Sequence, residues 1–175
     1  NPGIRQLSSR TQSFWNSLQY IDVLVMNEVE AGQLVPFVSA KSEIDAIHPC
    51  AYSDDKKLPE LLKKGVGVSG TMMGLREFTK IINSLGPERL LVTNGKEGAY
   101  LGTKEQIMFC PAQKAKVMGT AGAGDSFAST FASFIGLGKE EELALKAASI
   151  NSASVVSVMD TQSGLLAQEE LLSGI

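Results

Sequence analysis

The residues best suited to chemistry lie in one short run, Gly119-Thr120-Ala121-Gly122-Ala123-Gly124-Asp125-Ser126-Phe127. A glycine-rich loop that runs into a helix start exposes backbone N–H groups and the positive end of the helix dipole, a combination suited to a polyphosphate. Glycines let the backbone approach phosphate oxygens without a Cβ in the way. Asp125, in the first turn, is then placed to take a proton from an attacking hydroxyl. The amides of Gly122, Ala123 and Gly124 would hold the charge that develops on the transferred group. Taken in isolation, the same residues also describe an aspartate that caps a helix after a tight turn. Two other nucleotide motifs are excluded, because the spacing is not G-x-G-x-x-G and no G-K-[ST] follows.

The elements around this run follow from hydrophobic patterning. The continuous apolar stretch at 22–27 reads as a strand buried on both faces, with Asn27 at its carboxyl end and helical character over 28–35. Residues 36–70, broken by prolines and glycines, read as an irregular surface insertion with short helical stretches at 42–47 and 58–64. Leu75, Phe78, Ile82 and Leu85 form one stripe of an amphipathic helix that stops at Gly86-Pro87. A buried strand is expected at 89–93, and two short strands at 98–103 and 106–111. The helix after the glycine loop puts Phe127, Phe131, Phe134 and Ile135 on one side. Its other side, with Ala128, Ser129, Ala132 and Ser133, is small enough to pack closely on a neighbour. A second helix fits 139–157, with acidic residues at its start that complement the dipole. The alternation of strands and helices predicts one α/β domain over 1–175.

Composition narrows the class. A net charge of −3 with scattered Lys and Arg leaves no basic face, so nucleic acid is not an expected partner. No apolar run approaches the ~20 residues of a membrane span, so no membrane is expected. Cys50 and Cys110 have no CxxC spacing and no histidine at ligand distance, and read as idle thiols in a reducing cytoplasm. His48, the one histidine, reads as a loop residue. The opening Asn1-Pro2-Gly3-Ile4-Arg5 has neither a signal-peptide nor a transit-peptide pattern, and without an initiator Met it suggests a processed or truncated product.

The glycine run resembles the C-terminal motif D-T-x-G-A-G-D-x-F of the ribokinase/PfkB carbohydrate kinases. Other segments agree in the right order. Asn27-Glu28-Val29-Glu30 is similar to that family's N-x-x-E, and Thr93-Asn94-Gly95-Lys96-Glu97-Gly98 to its T-x-G-x-x-G turn. Asn151 falls at a matching position in the following helix, and the opening segment resembles a loop after a central strand. Each match alone has a plain structural explanation: a turn and a solvated carboxylate, a hairpin turn, a structural asparagine.

The resemblance implies a ribokinase-like three-layer α/β/α fold, of which this chain would be the C-terminal, ATP-binding half. It implies transfer of the ATP γ-phosphoryl to a hydroxyl of a sugar or nucleoside, with the GAGD-S-F form favouring sugars. Asp125 would be the base, and Asn27 and Glu30 would organise Mg²⁺ and the phosphates. Thr93, Gly95 and Gly98 would line the nucleotide, and Asn151 would border the adenine. Gly119 stands where the family usually has an aspartate near a monovalent-cation site, so weak or absent K⁺ stimulation is expected. The family's sugar-binding motifs precede Asn1, so the isolated chain is expected to be inactive and, with an exposed sheet edge, to self-associate into homo-oligomers. The alternative is a non-catalytic nucleotide-binding or interaction module derived from a kinase half.

Overall fold

Two buried strands anchor the first half of the chain, and both are continuous apolar runs. In the computed structural model, which describes residues 2–3, 12–41, 58–68 and 70–175, β1 (Val23–Asn27) and β4 (Arg89–Asn94) are parallel neighbours. Leu24, Val25 and Met26 on β1 and Leu90, Leu91 and Val92 on β4 are all buried, as expected of a parallel pair covered on both faces. Their register runs from Val23 opposite Arg89 to Asn27 opposite Thr93. The sheet has the order β1-β4-β5-β6, with β5 at Gly98–Gly102 and β6 at Ile107–Pro111. Residue 1, the rest of the opening segment at 4–5, the helix expected at 42–47, His48 and Cys50 lie outside the described residues.

The chain divides into two compact units, Asn1–Asn94 with Tyr100–Ile107, and Gly95–Ala99 with Met108–Ile175. In the first, a short helix α1 (Gln12–Ser17) and a 3₁₀ turn (Leu18–Tyr20) lead into β1. Helix α2 (Glu28–Lys41) follows, then α3 (Glu60–Lys64), an antiparallel pair β2 (Val66–Val68) and β3 (Thr71–Met73), and α4 (Leu75–Ser84). Leu75, Phe78 and Ile82 of α4 are buried, as their spacing predicts, while Leu85, the fourth member of that stripe, is the half-buried C-cap residue. The hydroxyl of Tyr100 accepts the N–H of Leu61 at 3.0 Å and so caps α3, whose N-cap Pro59 has no side-chain acceptor to offer.

The described parts of the expected irregular insertion at 36–70, namely 36–41, 58–68 and 70, include regular elements. Helix α2 runs through Pro36 to Lys41. Pro36 cannot donate to the carbonyl of Gly32, which ordinarily costs a helix about 3 kcal/mol. Ala31, Leu34, Val35 and Val38 are fully or almost fully buried on one stripe, and that burial outweighs the missing bond. Gly32 lies so near β2 that a Cβ there would come within 2.5 Å of the Gly67 carbonyl oxygen. The antiparallel pair β2–β3 has no counterpart among the elements that the sequence pattern predicts.

The second unit is built on α5 (Ala123–Gly136) and α6 (Glu141–Val156), followed by α7 (Gln168–Ser173). Phe127, Phe131 and Phe134 are buried. The small residues that permit close helix packing are Ala144, Ala147 and Ala148 of α6, each fully buried. The small face of α5 assigned to this task is instead exposed at Ser129, Ala132 and Ser133. The large rings need the buried side, and the small residues then fall toward solvent.

Candidate active site

Asn27 ends β1 and Glu30 lies in the first turn of α2, and the two side chains bond back onto each other's backbone. Asn27 Oδ1 accepts the N–H of Glu30 at 2.9 Å, and Glu30 Oε2 accepts the N–H of Asn27 at 2.9 Å. This is a capping box, in which two donors left over at the helix start are satisfied reciprocally. Asn27 is exposed while Glu30 is buried at 8% exposure, with Oε1 outside the reciprocal pair. The parallel register places Thr93, at the end of β4, directly opposite Asn27, so both motifs meet at the carboxyl ends of one strand pair. Open α/β sheets commonly bind ligands at such ends.

The same end of the first unit contains charges that the motifs do not include. Lys64 on α3 is 2.8 Å from a carboxylate oxygen of Glu60 and 3.3 Å from one of Glu28. The hydrogen bond from Glu60, with Glu28 assisting, holds the Lys64 ammonium above the usual lysine range against the opposing effect of burial. Asn94 donates to Glu60 at 3.5 Å, a long bond. Among the described residues, no group of three or more His, Cys, Asp or Glu side chains is arranged to hold a metal ion. The donor set does suit a hydrated magnesium ion, which keeps several waters and takes only one or two protein carboxylates.

In the second unit, Gly122 is the N-cap of α5 with φ 79°, a left-handed conformation that a side chain disfavours. No side chain caps this helix start. The first helical bond is Ser126 N–H to Gly122 C=O at 2.8 Å, so helix geometry leaves the N–H groups of Gly124 and Asp125 without helical acceptors. The Ala123 N–H lies 3.4 Å from the Thr120 carbonyl, so the expected trio of amides is only partly free. A Cβ at Gly124 would meet nothing within 4 Å, and Asp125 is exposed beside that opening.

Gly95 is exposed at φ 49°, in the turn before β5. Gly98 has φ 137°, and a Cβ there would collide with the Cys110 carbonyl, which makes glycine a steric necessity. Cys110 is buried, and burial raises its thiol above the ordinary range. Asn151 is buried on α6. Its amide N–H donates to Thr130 Oγ1 at 2.8 Å and its carbonyl oxygen accepts the Leu166 N–H at 2.9 Å, so it ties α5, α6 and the chain beyond together.

A support for the glycine loop escaped the sequence reading. The N–H groups of Met118 and Gly119 donate to the Val156 carbonyl at 2.8 and 3.3 Å, and Ser152 Oγ donates to the Ala123 carbonyl at 3.1 Å. Thr161 fills the space beside Gly122. The only local signal was turn chemistry, Asp160 three residues before Ser163 and followed by Gly164.

The start of α5 is uncapped and glycine-built, with an exposed carboxylate in its first turn, an arrangement compatible with anion binding. Residues 6–168 match the pfkB family carbohydrate kinase, and the chain belongs to that family. It is 37% identical over 83 residues to 5-dehydro-2-deoxygluconokinase of Bacillus subtilis, covering 47% of this chain and 26% of that protein. It is 32% identical over 89 residues to deoxyribokinase of Salmonella typhimurium, covering 51% and 29%. The fold resembles Arabidopsis thaliana ribokinase complexed with ribose and ATP, at a TM-score of 0.64 and 22% identity over 89% of this chain and 41% of that one. It also resembles the nucleoside kinase of Burkholderia thailandensis in complex with inosine, at 0.67 and 18% over 99% and 46%. The chain therefore has the ribokinase-like α/β fold and spans less than half the length of these relatives. Among the described residues, no helix is long and apolar enough to cross a membrane.

Proposed function

We propose that this chain supplies the ATP-phosphate site and the general base of a kinase that phosphorylates a hydroxyl of a small sugar. The observation that carries the reading is the start of α5, where an exposed Asp125 stands beside amides that helix geometry leaves without acceptors, around a Gly122 that no side chain caps. In this reading, Asp125 takes the proton of the attacking hydroxyl while the backbone of 122–125 holds the charge on the transferred phosphoryl. Thr93, Gly95 and Gly98 line the nucleotide, and Asn151 shapes the adenine side through its ties to Thr130 and Leu166. Asn27 and Glu30 hold Mg²⁺ through water, with Glu30 Oε1 as the available oxygen. The magnesium, when bound, neutralises phosphate charge. Positioning and electrostatics of this kind account for most of phosphoryl-transfer catalysis.

A sugar is favoured over a nucleoside because the sequence relatives named above are sugar kinases. One observation supports a rival, a nucleotide-binding module without turnover: Asn27 and Glu30 satisfy each other, as a purely structural cap would. A coupled ADP-release assay across a panel of sugars and nucleosides separates the two. The complete protein is expected to release ADP in a sugar-dependent way, while residues 1–175 alone bind nucleotide weakly, turn nothing over and self-associate in light scattering. ATP binding without ADP release by the complete protein establishes the rival instead.

A further inference from the structure

The glycine loop is held from outside the motif, and the hold converges on one turn. A Cβ built on Gly122 would lie 2.9 Å from Thr161 Cβ and 3.1 Å from Thr161 Cγ2, so Thr161 occupies the place a side chain at 122 would need. The segment bearing Thr161 is pinned at both ends. At one end the Val156 carbonyl accepts the N–H groups of Met118 and Gly119. At the other, Gly164 is packed so closely on α6 that a Cβ there would come within 2.6 Å of the Ser154 carbonyl oxygen. Between these points the turn is closed by a single carboxylate oxygen, Oδ1 of Asp160, which accepts the N–H of Gln162 at 2.8 Å and of Ser163 at 2.6 Å.

We propose that Asp160 is a positioning residue for the phosphate-binding start of α5, acting through the turn that seats Thr161 against Gly122. The inference rests on the reading of 122–125 as the phosphate site. Asp160 is itself exposed, and its bonds are to the backbone of its own turn. What it fixes is the wall behind Gly122, and so the direction in which the N–H groups of Gly124 and Asp125 point. Misplacing a charge-stabilising donor by a fraction of an ångström is costly in phosphoryl transfer, because donors act by being in place before the reaction. The amides of Ser163 and Gln162 hold the Asp160 carboxyl down to about 2, so the turn stays closed throughout the working pH range. What the turn needs at this position is an acceptor oxygen. Asparagine can replace it and alanine cannot.

The test measures binding of adenosine, ADP and ATP by calorimetry, and kcat and sugar KM, for the complete protein and its variants. Asp160→Ala is expected to lower ADP and ATP affinity and kcat by about tenfold, within the range seen when an outer supporting partner is lost. Adenosine affinity and sugar KM should stay within about twofold, because neither ligand part depends on the phosphate amides. Asp160→Asn should restore all values to within about twofold of the parent. Thr161→Gly, which removes the two side-chain atoms facing Gly122, should reproduce the alanine effect and supplies the test if Asp160→Ala fails to fold. Parent-like phosphate-dependent affinity in Asp160→Ala or Thr161→Gly overturns the proposal, as does an Asp160→Asn protein as impaired as the alanine variant. A parent protein that binds ADP no better than adenosine sinks the phosphate-site reading itself, and this inference with it.

Discussion

At the end of β1 and at the start of α5 the chain solves the same problem, a helix N-terminus with leftover donors, in opposite ways. Asn27 and Glu30 close theirs, each side chain accepting the other's backbone N–H at 2.9 Å. Gly122 leaves its helix uncapped, with empty space at Gly124 and an exposed Asp125 alongside. A side-chain cap is worth roughly 0.5–2 kcal/mol, so the open end forgoes stabilisation that the closed end has. The difference teaches where to look for chemistry. A motif whose polar groups are mutually satisfied has a folding role before it has any other, whereas donors left unfilled by side chains remain open to a ligand even where a first-turn carboxylate complements the helix dipole.

The sharpest way to break this contrast is Asp125→Asn. If the open helix start is the reaction centre, kcat in the complete protein falls by something on the order of 10²–10⁴, the range for losing a general base. ATP affinity changes little because the amides remain. Steady-state kinetics with calorimetric ATP binding reads both, and more than half the parental kcat would sink the assignment.

Glu30→Gln sharpens the other side. Glutamine keeps the capping box, since either Glu or Gln serves at that position. Thermal unfolding should therefore move little, while the Mg²⁺ concentration for half-maximal activity rises several-fold. Unchanged stability with an unchanged Mg²⁺ titration would leave Glu30 a helix cap and nothing more.

The smallest effect is expected at Gly119, which stands where the resembled motif D-T-x-G-A-G-D-x-F has its first aspartate. The position has room, because a Cβ would be 3.6 Å from the Val158 carbonyl oxygen and 3.8 Å from that of Met159. The parent protein should show weak or no stimulation by K⁺, and Gly119→Asp should increase it. Activity is compared in K⁺ and in a bulky organic cation at equal ionic strength. Strong stimulation of the parent by K⁺ would contradict the expectation.

What was legible in the sequence is what local patterning determines. The apolar run ending at Asn27, the stripe of Leu75, Phe78 and Ile82, and the glycine loop opening α5 are all properties of contiguous residues, and each is found where it was read. Local patterning is silent where distant parts of the chain decide. Helix α2 continues through Pro36 because Leu34, Val35 and Val38 are buried by other elements. The strands Val66–Val68 and Thr71–Met73 are three residues each, too short to show a period. Asn151 reads as a site residue from its position in a motif, yet its bonds to Thr130 and Leu166 depend on how α5 and the chain beyond α6 meet it. The support of Gly122 by Thr161 joins residues whose closeness no local pattern encodes.

The seam between Gly32 and Gly67 has a practical consequence for anyone who surveys substitutions in this protein. A methyl group on Gly32 would press into the backbone of Gly67, and one on Gly67 would collide with the Thr71 carbonyl and come within 2.7 Å of Met72 Sδ. Both positions should therefore score as intolerant as any reactive residue in a saturation screen read out by activity. Neither position is among the residues assigned to the reaction. An abundance measurement run alongside would separate the two kinds of intolerance, with Gly32 variants vanishing from the soluble fraction and Asp125 variants remaining in it.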